Sequence, residues 1–351
     1  MKKILFQLFI FNALLVNVLE AQDPYFSQFY AAPAQLNPAM TGVFQGSWRA
    51  SANYRDQWSS ILGANPFRTI HAAADLRYNT VDDDYFAVGI TALRDEAGSS
   101  RFSQTKGGLS VSYLKQLGGS RYRSDAQYLV GGAQIGFGQQ AIQAGRLWFG
   151  RQFDPITESV NTSLPSGESF GTGLTSKTYT DLSAGLLWYG LFDDNLSFYA
   201  GGSLWHANAP KVELYAGSSQ KIPARFVLHA GGEMPIGDNL SLLPAAVFMK
   251  QGESMQTMLG ANVRYNSHEL EEVAIRIGAW TRIANRLNSG VHADAVIIST
   301  ILELSRWQLG FSYDINSSSL SRASDGRGAF EFSLLYTHPE ERRQSVSCPR
   351  F

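Results

Sequence analysis

Two arms of alternating apolar and polar residues, with only Leu335 out of pattern, lie near the end of the chain, between Trp307 and Tyr336. The apolar residues on one face of the two arms are Trp307, Leu309, Phe311 and Tyr313, then Phe330, Phe332, Leu334 and Tyr336. The opposite faces carry small or charged residues such as Asp314 and Glu331. These strands have aromatic residues at both ends of the apolar face. Such strands are typical of a β-barrel whose outer face contacts lipid and whose interior contains water. We therefore interpret this stretch as the closing hairpin of a β-barrel.

The same alternation recurs along most of the chain and predicts about fourteen strands. Before the closing pair, the predicted strands are 48–55, 67–78, 85–93, 109–116, 128–138, 179–189, 196–206, 225–234, 240–250, 255–265, 273–281 and 291–301. In the first of these, Trp48, Ala50, Ala52 and Tyr54 alternate with polar residues.

The lengths of the predicted connections form a second pattern. Every second connection is short and rich in turn residues: 79–84, 117–125, 191–195, 236–239, 267–271 and 303–306. The others are mostly longer: 56–66, 94–104, 139–177, 207–223, 283–288 and 316–327, with 251–254 as the exception. Outer-membrane barrels sort their connections in this way, whereas a secreted β-sandwich has no reason to do so. The sequence therefore predicts an all-β, transmembrane antiparallel β-barrel of about 14 strands with an N-terminal plug or lid.

Composition and the start of the chain agree with an exported barrel. Charged residues are 17% of the 351 residues, below the usual share of about 25%, and the net charge of -1 does not favour a nucleic-acid partner. Residues 1–21 resemble a signal peptide, with Lys2 and Lys3 before an apolar run and cleavage expected after Ala21. No later run is apolar and long enough for a membrane helix, so we expect none.

Two segments flank the predicted barrel at 48–337. Prolines in residues 22–47 make a regular strand there unfavourable, and the aromatic content is high for a disordered tail. We expect an ordered periplasmic or plug segment at the barrel mouth, with a tethering linker as the alternative. Residues 338–351 are expected to form a periplasmic tail. Its single cysteine, Cys348, has no partner for an internal disulfide.

Several blocks of sequence carry a family resemblance. They are residues 22–30 (QDPYFSQFY), 36–39 (LNPA), 53–58 (NYRDQW), 202–203 with His206 and Pro210, 310–315 (GFSYDI), 330–336 (FEFSLLY) and 348–351 (CPRF). With these blocks the chain resembles the PorP/SprF family of type IX secretion system outer-membrane proteins from Bacteroidota.

The resemblance implies a non-enzymatic outer-membrane barrel without a cofactor. Its implied partners are outer-membrane lipid, a secreted adhesin or other type IX substrate, and periplasmic or outer-membrane components of the secretion and gliding machinery. The residues of the matching blocks that we take as candidate partner contacts are Asp23, Pro24, Phe26, Ser27, Gln28, Phe29, Asn37, Pro38, Tyr54, Arg55, Trp58, Tyr313, Asp314, Cys348, Pro349 and Phe351.

The sequence supports an enzymatic site less well than it supports the family resemblance. Residues 136–141 fit a GxGxxA pattern, but no helix is predicted behind them to bind a phosphate. A hydrolase would need a grouping such as His292, Asp294 and Ser299, yet alternation places Ser299 on the face opposite the other two. His206 with Ser203 is a second such candidate. The histidines have no metal-site spacing.

Charged residues predicted on the polar strand faces allow two interpretations. They are Arg49, Arg55, Asp75, Glu233, Arg276, Arg282 and Glu331. Salt-bridged rows filling a plugged lumen are one interpretation, because isolated charges in a closed interior are costly. The lining of a porin or lipid-type transporter is the alternative. Asp82, Asp83 and Asp84 are interpreted as a solvated turn, with calcium binding as an alternative.

Overall fold

A computed structural model of the protein describes residues 22–63, 65–80, 84–119, 125–168, 174–193, 196–215, 217–266, 273–285, 290–318 and 321–339. The signal-peptide region, Asp82 and Asp83, and the tail with Cys348, Pro349 and Phe351 lie outside these residues.

Fourteen long strands form the main sheet in the described part of the chain. They are β1 (Trp48–Gln57), β2 (Phe67–Asn79), β3 (Tyr85–Ala97), β4 (Phe102–Gly119), β5 (Ala126–Ile142), β6 (Tyr179–Asp193), β7 (Leu196–Trp205), β8 (Arg225–Pro235), β9 (Leu240–Gln251), β10 (Ser254–Asn266), β11 (Val273–Asn285), β12 (Val291–Leu304), β13 (Trp307–Asn316) and β14 (Arg327–His338).

The sheet closes on itself. Each strand pairs antiparallel with its neighbours in the chain, and β1 pairs with β14 from Trp48 opposite His338 to Gln57 opposite Ala329. Closure leaves the main sheet without an edge strand, so every long strand pairs on both sides. The predicted closed antiparallel barrel of 14 strands is confirmed, and the sandwich is excluded.

The two faces of each strand have the chemistry that alternation predicts. Trp307 and Phe332 point outward with 45% and 51% of their surface exposed, whereas Asp314 and Glu331 point inward with 0% and 1%. Aliphatic and aromatic side chains therefore cover the outside, and the interior contains polar and charged groups. This distribution suits a barrel surrounded by lipid.

The structure extends several strands beyond their predicted ends. The prediction of a long connection at 94–104 is wrong, because β3 and β4 remain paired up to Ala97 and Phe102. The tight turn between them has Gly98 and Arg101 at positive φ. Similarly, β5 continues to Ile142, so the longest connection begins after it.

A β-bulge places Ser299 on the face of β12 opposite to the predicted one. The pairing of β11 with β12 shifts between Arg282 and Ile283, so that Ala295 lies opposite Arg282 while Ala293 lies opposite Ile283. The extra residue, Asp294, reverses the alternation along β12. As a result Ser299 is buried in the interior, on the same side as the Asp294 carboxylate, which reaches the buried Arg282.

The barrel has two different ends. We call the end with the connections 80–84, 120–125, 194–195, 236–239, 267–272 and 305–306 the short-turn end, and the other the long-loop end. At the long-loop end, Lys211–Val212 pairs with Gln220–Lys221, Phe153–Asp154 pairs with Ser159–Val160, and Leu174–Thr175 adds to β5. Short helical turns lie there at Ser59–Leu62, Ala144–Arg146, Gly150–Gln152 and Ser321–Ser324. None of the helices in the described ranges is long and apolar enough to cross a membrane.

Residues 22–47, which we call the N-terminal segment, contact inward-facing residues of the barrel wall. The segment starts beside Gln251 and Ser254 at the long-loop end and finishes at the short-turn end, where Ser47 N donates to His338 O at 2.9 Å. It contains three short turns, Phe29–Ala31, Pro33–Leu36 and Pro38–Met40. Asn37 caps the last of these by accepting from Ala39 N at 2.8 Å, and Pro38 occupies its first position, where a backbone donor is not needed.

Apolar residues of the N-terminal segment form a core with inward-facing residues of the barrel. Phe29, Met40 and Val43 are among the buried residues of this cluster. The ring of Phe29 meets Trp280 edge-on at a centroid distance of 5.3 Å. Burial of each large apolar side chain contributes roughly 1.5–3 kcal/mol, so the segment is a substantial part of the hydrophobic core.

Strand glycines create the space for this core. A Cβ at Gly132 would lie 2.5 Å from the Ala39 backbone, and one at Gly185 would lie 1.9 Å from Asn37 Oδ1. A Cβ at Gly131, the preceding residue, would meet only Leu186 Cδ2 at 3.8 Å, an ordinary contact. The inward glycines therefore match the path of the segment.

We expect Gly132→Ala to destabilise the folded protein by about 1–3 kcal/mol, because the obstructing atoms of Ala39 are backbone and the segment must move. Gly131→Ala is the matched control, with an expected change within about 0.5 kcal/mol. Denaturant unfolding of the purified protein in detergent would measure both. Equal effects at the two positions would contradict this account of the glycines.

Candidate functional site

A cluster of buried charges joins the N-terminal segment to four strands. It consists of Arg55 (β1), Arg282 (β11), Asp314 (β13) and Glu331 (β14), all at most 3% exposed, together with Ser27 of the segment. We call this set the ionic cluster. Alternation along each strand directs its side chain inward, and barrel closure brings β1 beside β14.

The ion pairs of the ionic cluster are close and share partners. Asp314 Oδ2 accepts from Arg55 Nη2 at 3.0 Å and from Arg282 Nη1 at 2.7 Å, and Arg55 Nη1 also pairs with Glu331. Two arginines therefore face two fully buried carboxylates, and Arg282 also pairs with the partly exposed Asp294 at 2.7 Å, so each buried charge has a counter-charge.

The N-terminal segment supplies the remaining donors. Ser27 N and Gln28 N donate to the two oxygens of Glu331 at 2.7 and 2.8 Å, and Ser27 Oγ donates to Asp314 Oδ2 at 2.9 Å. The Tyr25 ring lies under both guanidinium groups, 5.5 Å from that of Arg55 and 5.4 Å from that of Arg282. Because buried carboxylates need several hydrogen bonds, the donors of the segment add to those that the strands provide.

Gln28 adds neutral contacts to the same wall. Its Nε2 donates to Ser312 Oγ at 3.2 Å, and its Oε1 accepts from Ser333 Oγ at 2.7 Å. A Cβ at Gly310 would lie 2.3 Å from this Oε1, so the glycine leaves room for the amide. The blocks QDPYFSQFY, GFSYDI and FEFSLLY therefore meet at one place inside the barrel.

A second group of charges holds the start of the segment at the long-loop end. The Asp23 carboxylate pairs with Lys106 and with His206 Nε2, and Arg225 Nη1 lies 3.5 Å from its Oδ2. The other imidazole nitrogen, His206 Nδ1, lies 2.9 Å from Asp181 Oδ2. Asp23 N donates to Gln251 Oε1 at 2.9 Å.

These contacts change the pKa of both central groups. Burial by itself raises the pKa of the Asp23 carboxyl, but Lys106, Arg225 and His206 reverse that effect and hold the pKa well below its usual range. Burial lowers the pKa of the His206 imidazole, and the hydrogen bonds to Asp181 and Asp23 outweigh it, so the net shift is upward. Both shifts favour a charged pair.

Asn37 holds the middle of the segment against the wall. Its Nδ2 donates to Leu186 O at 3.0 Å and to Gly202 O at 3.2 Å, and it lies 3.0 Å from His229 Nε2. Pro38 and Ala39 follow in contact with the space left by Gly132. Block LNPA is thus a packing contact between the segment and strands β5 to β7.

The other candidate residues divide between the interior and the exterior. Phe26 is buried with its ring 6.0 Å from that of His71, and Pro24 lies beside Asp23 and Lys106. Tyr54 and Tyr313 belong to the outward faces of β1 and β13. At the long-loop end, the ring of Trp58 meets that of Phe67 edge-on at a centroid distance of 5.4 Å. Whether any of these residues contacts a partner remains a prediction.

The hydroxyls proposed for a hydrolase bond to groups other than a histidine. Ser203 Oγ donates to Leu36 O at 2.7 Å and accepts from Trp205 Nε1 at 3.0 Å. Ser299 Oγ donates to Asn262 Oδ1 at 3.2 Å and accepts from Trp280 Nε1 at 3.3 Å. His206 is held by two carboxylates. These contacts assign the residues to packing of the interior.

Sequence reasoning missed Lys106, Asp181 and Arg225. Asp181 lies on the same inward face of β6 as Ser183 and Tyr189, so alternation carried a signal for it. Lys106 was missed because β4 starts earlier than predicted. The seven charged residues that we expected on inward faces are all buried, from Arg276 at 1% to Asp75 at 8% exposed.

Arg55→Leu should destabilise the protein by about 3–5 kcal/mol, because it leaves Glu331 buried without its cation. The matched control is Arg327→Leu, which removes an exposed pair with Asp325 and should change stability by at most about 0.5 kcal/mol. Chemical denaturation measures both. A double variant with Glu331→Leu should be less destabilised than the sum of the single variants, and strict additivity would contradict the pairing.

We expect the start of the segment to loosen as pH rises. The Asp23–His206 pair contributes fully below the ordinary histidine pKa of about 6.5, and its contribution is lost as pH rises through the raised pKa of His206. At low pH the contribution of Asp23 is lost only as pH falls through its depressed pKa. Amide exchange of residues 23–28, corrected for intrinsic rates, should show the upper transition, and His206→Asn should remove it. An unchanged profile in that variant would refute this role of His206.

Comparisons with known proteins identify the family. Residues 18–336 match the family of the type IX secretion system membrane protein PorP/SprF. No curated protein matches the chain.

Solved structures with a similar fold are distant in sequence. They include the CymD monoaromatic hydrocarbon channel (TM-score 0.44, 12% identity, 89% of this chain and 94% of that one) and a TodX monoaromatic hydrocarbon channel mutant (0.42, 11%, 89% and 94%). CdiB from Acinetobacter baumannii has a TM-score of 0.43 at 6% identity, with 83% of this chain covered, and the match spans 60% of its length. The match over nearly the whole sequence, on a closed barrel, shows that the chain belongs to the PorP/SprF family of type IX secretion system membrane proteins.

Proposed function

We propose that this protein is an outer-membrane barrel component of the type IX secretion and gliding machinery. In this role it supports the secretion or surface attachment of partner proteins such as adhesins. The observation that carries the proposal is the family match over residues 18–336. An apolar exterior around a polar interior is consistent with insertion in the outer membrane, after removal of residues 1–21.

The N-terminal segment acts as a plug in this proposal. In support, its residues contact inward-facing groups at the long-loop end through Asp23, in the middle through Ser27 and Asn37, and at the short-turn end through Ser47. A lumen filled in this way suits a scaffold more than an open solute channel. The proposed role is not enzymatic.

Partners meet the two ends of the barrel separately. The long-loop end faces the cell surface and contacts the secreted partner, with Trp58 among its candidate residues. The short turns and the tail at 338–351 face the periplasm and contact machinery components, with Cys348, Pro349 and Phe351 as candidates. This arrangement rests on the sorting of connection lengths, since short turns of outer-membrane barrels lie in the periplasm.

Affinity purification of the tagged protein from native membranes tests the proposal. We expect type IX components and a large secreted adhesin to co-purify, and the purified barrel to be silent in planar bilayers. A variant lacking Cys348 to Phe351 should keep the heat-modifiable folded barrel but recover fewer periplasmic partners. Large, steady conductance without co-purifying machinery would instead favour a porin or lipid-type transporter.

A further inference from the structure

A cavity of about 440 Å³ lies at the long-loop end, between the start of the N-terminal segment and the 206–224 connection. The side chains important to its chemistry are Gln22, Asp95, Phe102, Gln104, Gln140 and Tyr215. Ligand sites commonly have volumes of roughly 300–1,000 Å³, so the cavity has room for a small molecule. No residue of the ionic cluster lines this cavity.

The connection that covers the cavity is ordered by its own contacts. Val212 and Ile222 pack with Tyr179 in a small apolar cluster, and Ile222 N donates to Pro210 O at 2.9 Å. Ser218 Oγ accepts from Leu214 N and Tyr215 N, both at 3.0 Å. Tyr215 is therefore held by a capped turn on the cavity wall, and its side chain is still 50% exposed.

The lining combines side-chain amides with aromatic faces. Gln22, Gln104 and Gln140 each carry an acceptor oxygen and an NH₂ group with two donor hydrogens. One donor of Gln22 bonds to Ser254 Oγ and one of Gln104 lies 3.4 Å from Tyr179 Oη, which leaves their oxygens and second hydrogens for a ligand. Asp95 Oδ1 accepts from Thr69 Oγ1 at 2.6 Å, and its other oxygen can accept a further hydrogen bond. Sugar hydroxyls both donate and accept hydrogen bonds, so they can pair with the oxygen and with the NH₂ group of a side-chain amide. Phe102 and Tyr215 provide flat apolar faces, which suit the C–H faces of a sugar ring.

The charge of the lining favours a neutral ligand. Its charged residues are Asp23, Asp95 and Lys221, and Asp23 is already paired with Lys106 and His206. The remaining carboxylate and ammonium group balance each other, so neither an anion nor a cation is favoured. Over the described ranges, no group of His, Cys, Asp or Glu could hold a metal ion.

We propose that this cavity binds a neutral, hydroxyl-rich ligand of one or two rings, a free disaccharide or the terminal sugars of a glycan. The amides and Asp95 bind the hydroxyls, and Tyr215 stacks on a ring face. The binding site opens on the same end as the long connections and is independent of the family role proposed above.

Titration with maltose, cellobiose and N,N′-diacetylchitobiose tests the proposal. The full chain is purified in an amine-oxide detergent, because glycoside detergents carry competing sugars, and binding is followed by saturation-transfer NMR and calorimetry. We expect saturable binding of at least one disaccharide. Tyr215→Ala should weaken it at least about tenfold, equivalent to about 1.4 kcal/mol.

The matched control is Trp148→Ala, which removes an exposed aromatic residue from another connection at the same end and should leave the affinity unchanged. Gln140→Leu is a second test within the cavity and should also weaken binding. The proposal is overturned if none of the three sugars binds saturably, or if Tyr215→Ala and Gln140→Leu both bind as tightly as the unmodified protein.

Discussion

The buried carboxylates of Asp314 and Glu331 place the strongest constraint on this structure. A charge inside a closed barrel is stable only with counter-charges and several hydrogen-bond donors. The strands provide Arg55 and Arg282, and the N-terminal segment provides the backbone donors of Ser27 and Gln28. Neither part satisfies the carboxylates alone. Closure of the sheet and insertion of the segment are thus coupled by the same electrostatic requirement.

The inward face of the barrel strands complements the N-terminal segment in shape as well as in charge. Glycines at 132, 185 and 310 leave the space that Ala39, Asn37 and Gln28 occupy. Aromatic residues such as Trp280 then pack on Phe29. Since a methyl group at these positions would collide with the segment, packing fixes the path that the ionic cluster anchors. The family blocks QDPYFSQFY, GFSYDI and FEFSLLY therefore have one structural explanation, which is their mutual contact.

The N-terminal segment runs from the long-loop end of the barrel to the short-turn end. Its start, at Asp23, lies next to the cavity of about 440 Å³ at the long-loop end, whereas Ser47 leads into β1 at the short-turn end. The ion pair of Asp23 and His206 holds the start of the segment at the long-loop end.

Alternation in the sequence by itself determined the number of strands, the outward face of Trp307 and Phe332, and the inward burial of residues such as Arg55 and Glu331, because successive side chains of a regular strand point to opposite faces. The tertiary structure decided which inward groups meet. Strands extend past their predicted ends wherever backbone pairing continues, as at Ala97 and Phe102. The bulge at Asp294 returned Ser299 to the interior, since one added residue reverses the faces. Lys106, Asp181 and Arg225 come together around Asp23 only because closure and insertion bring distant segments into contact, and no local pattern in the chain encodes that proximity.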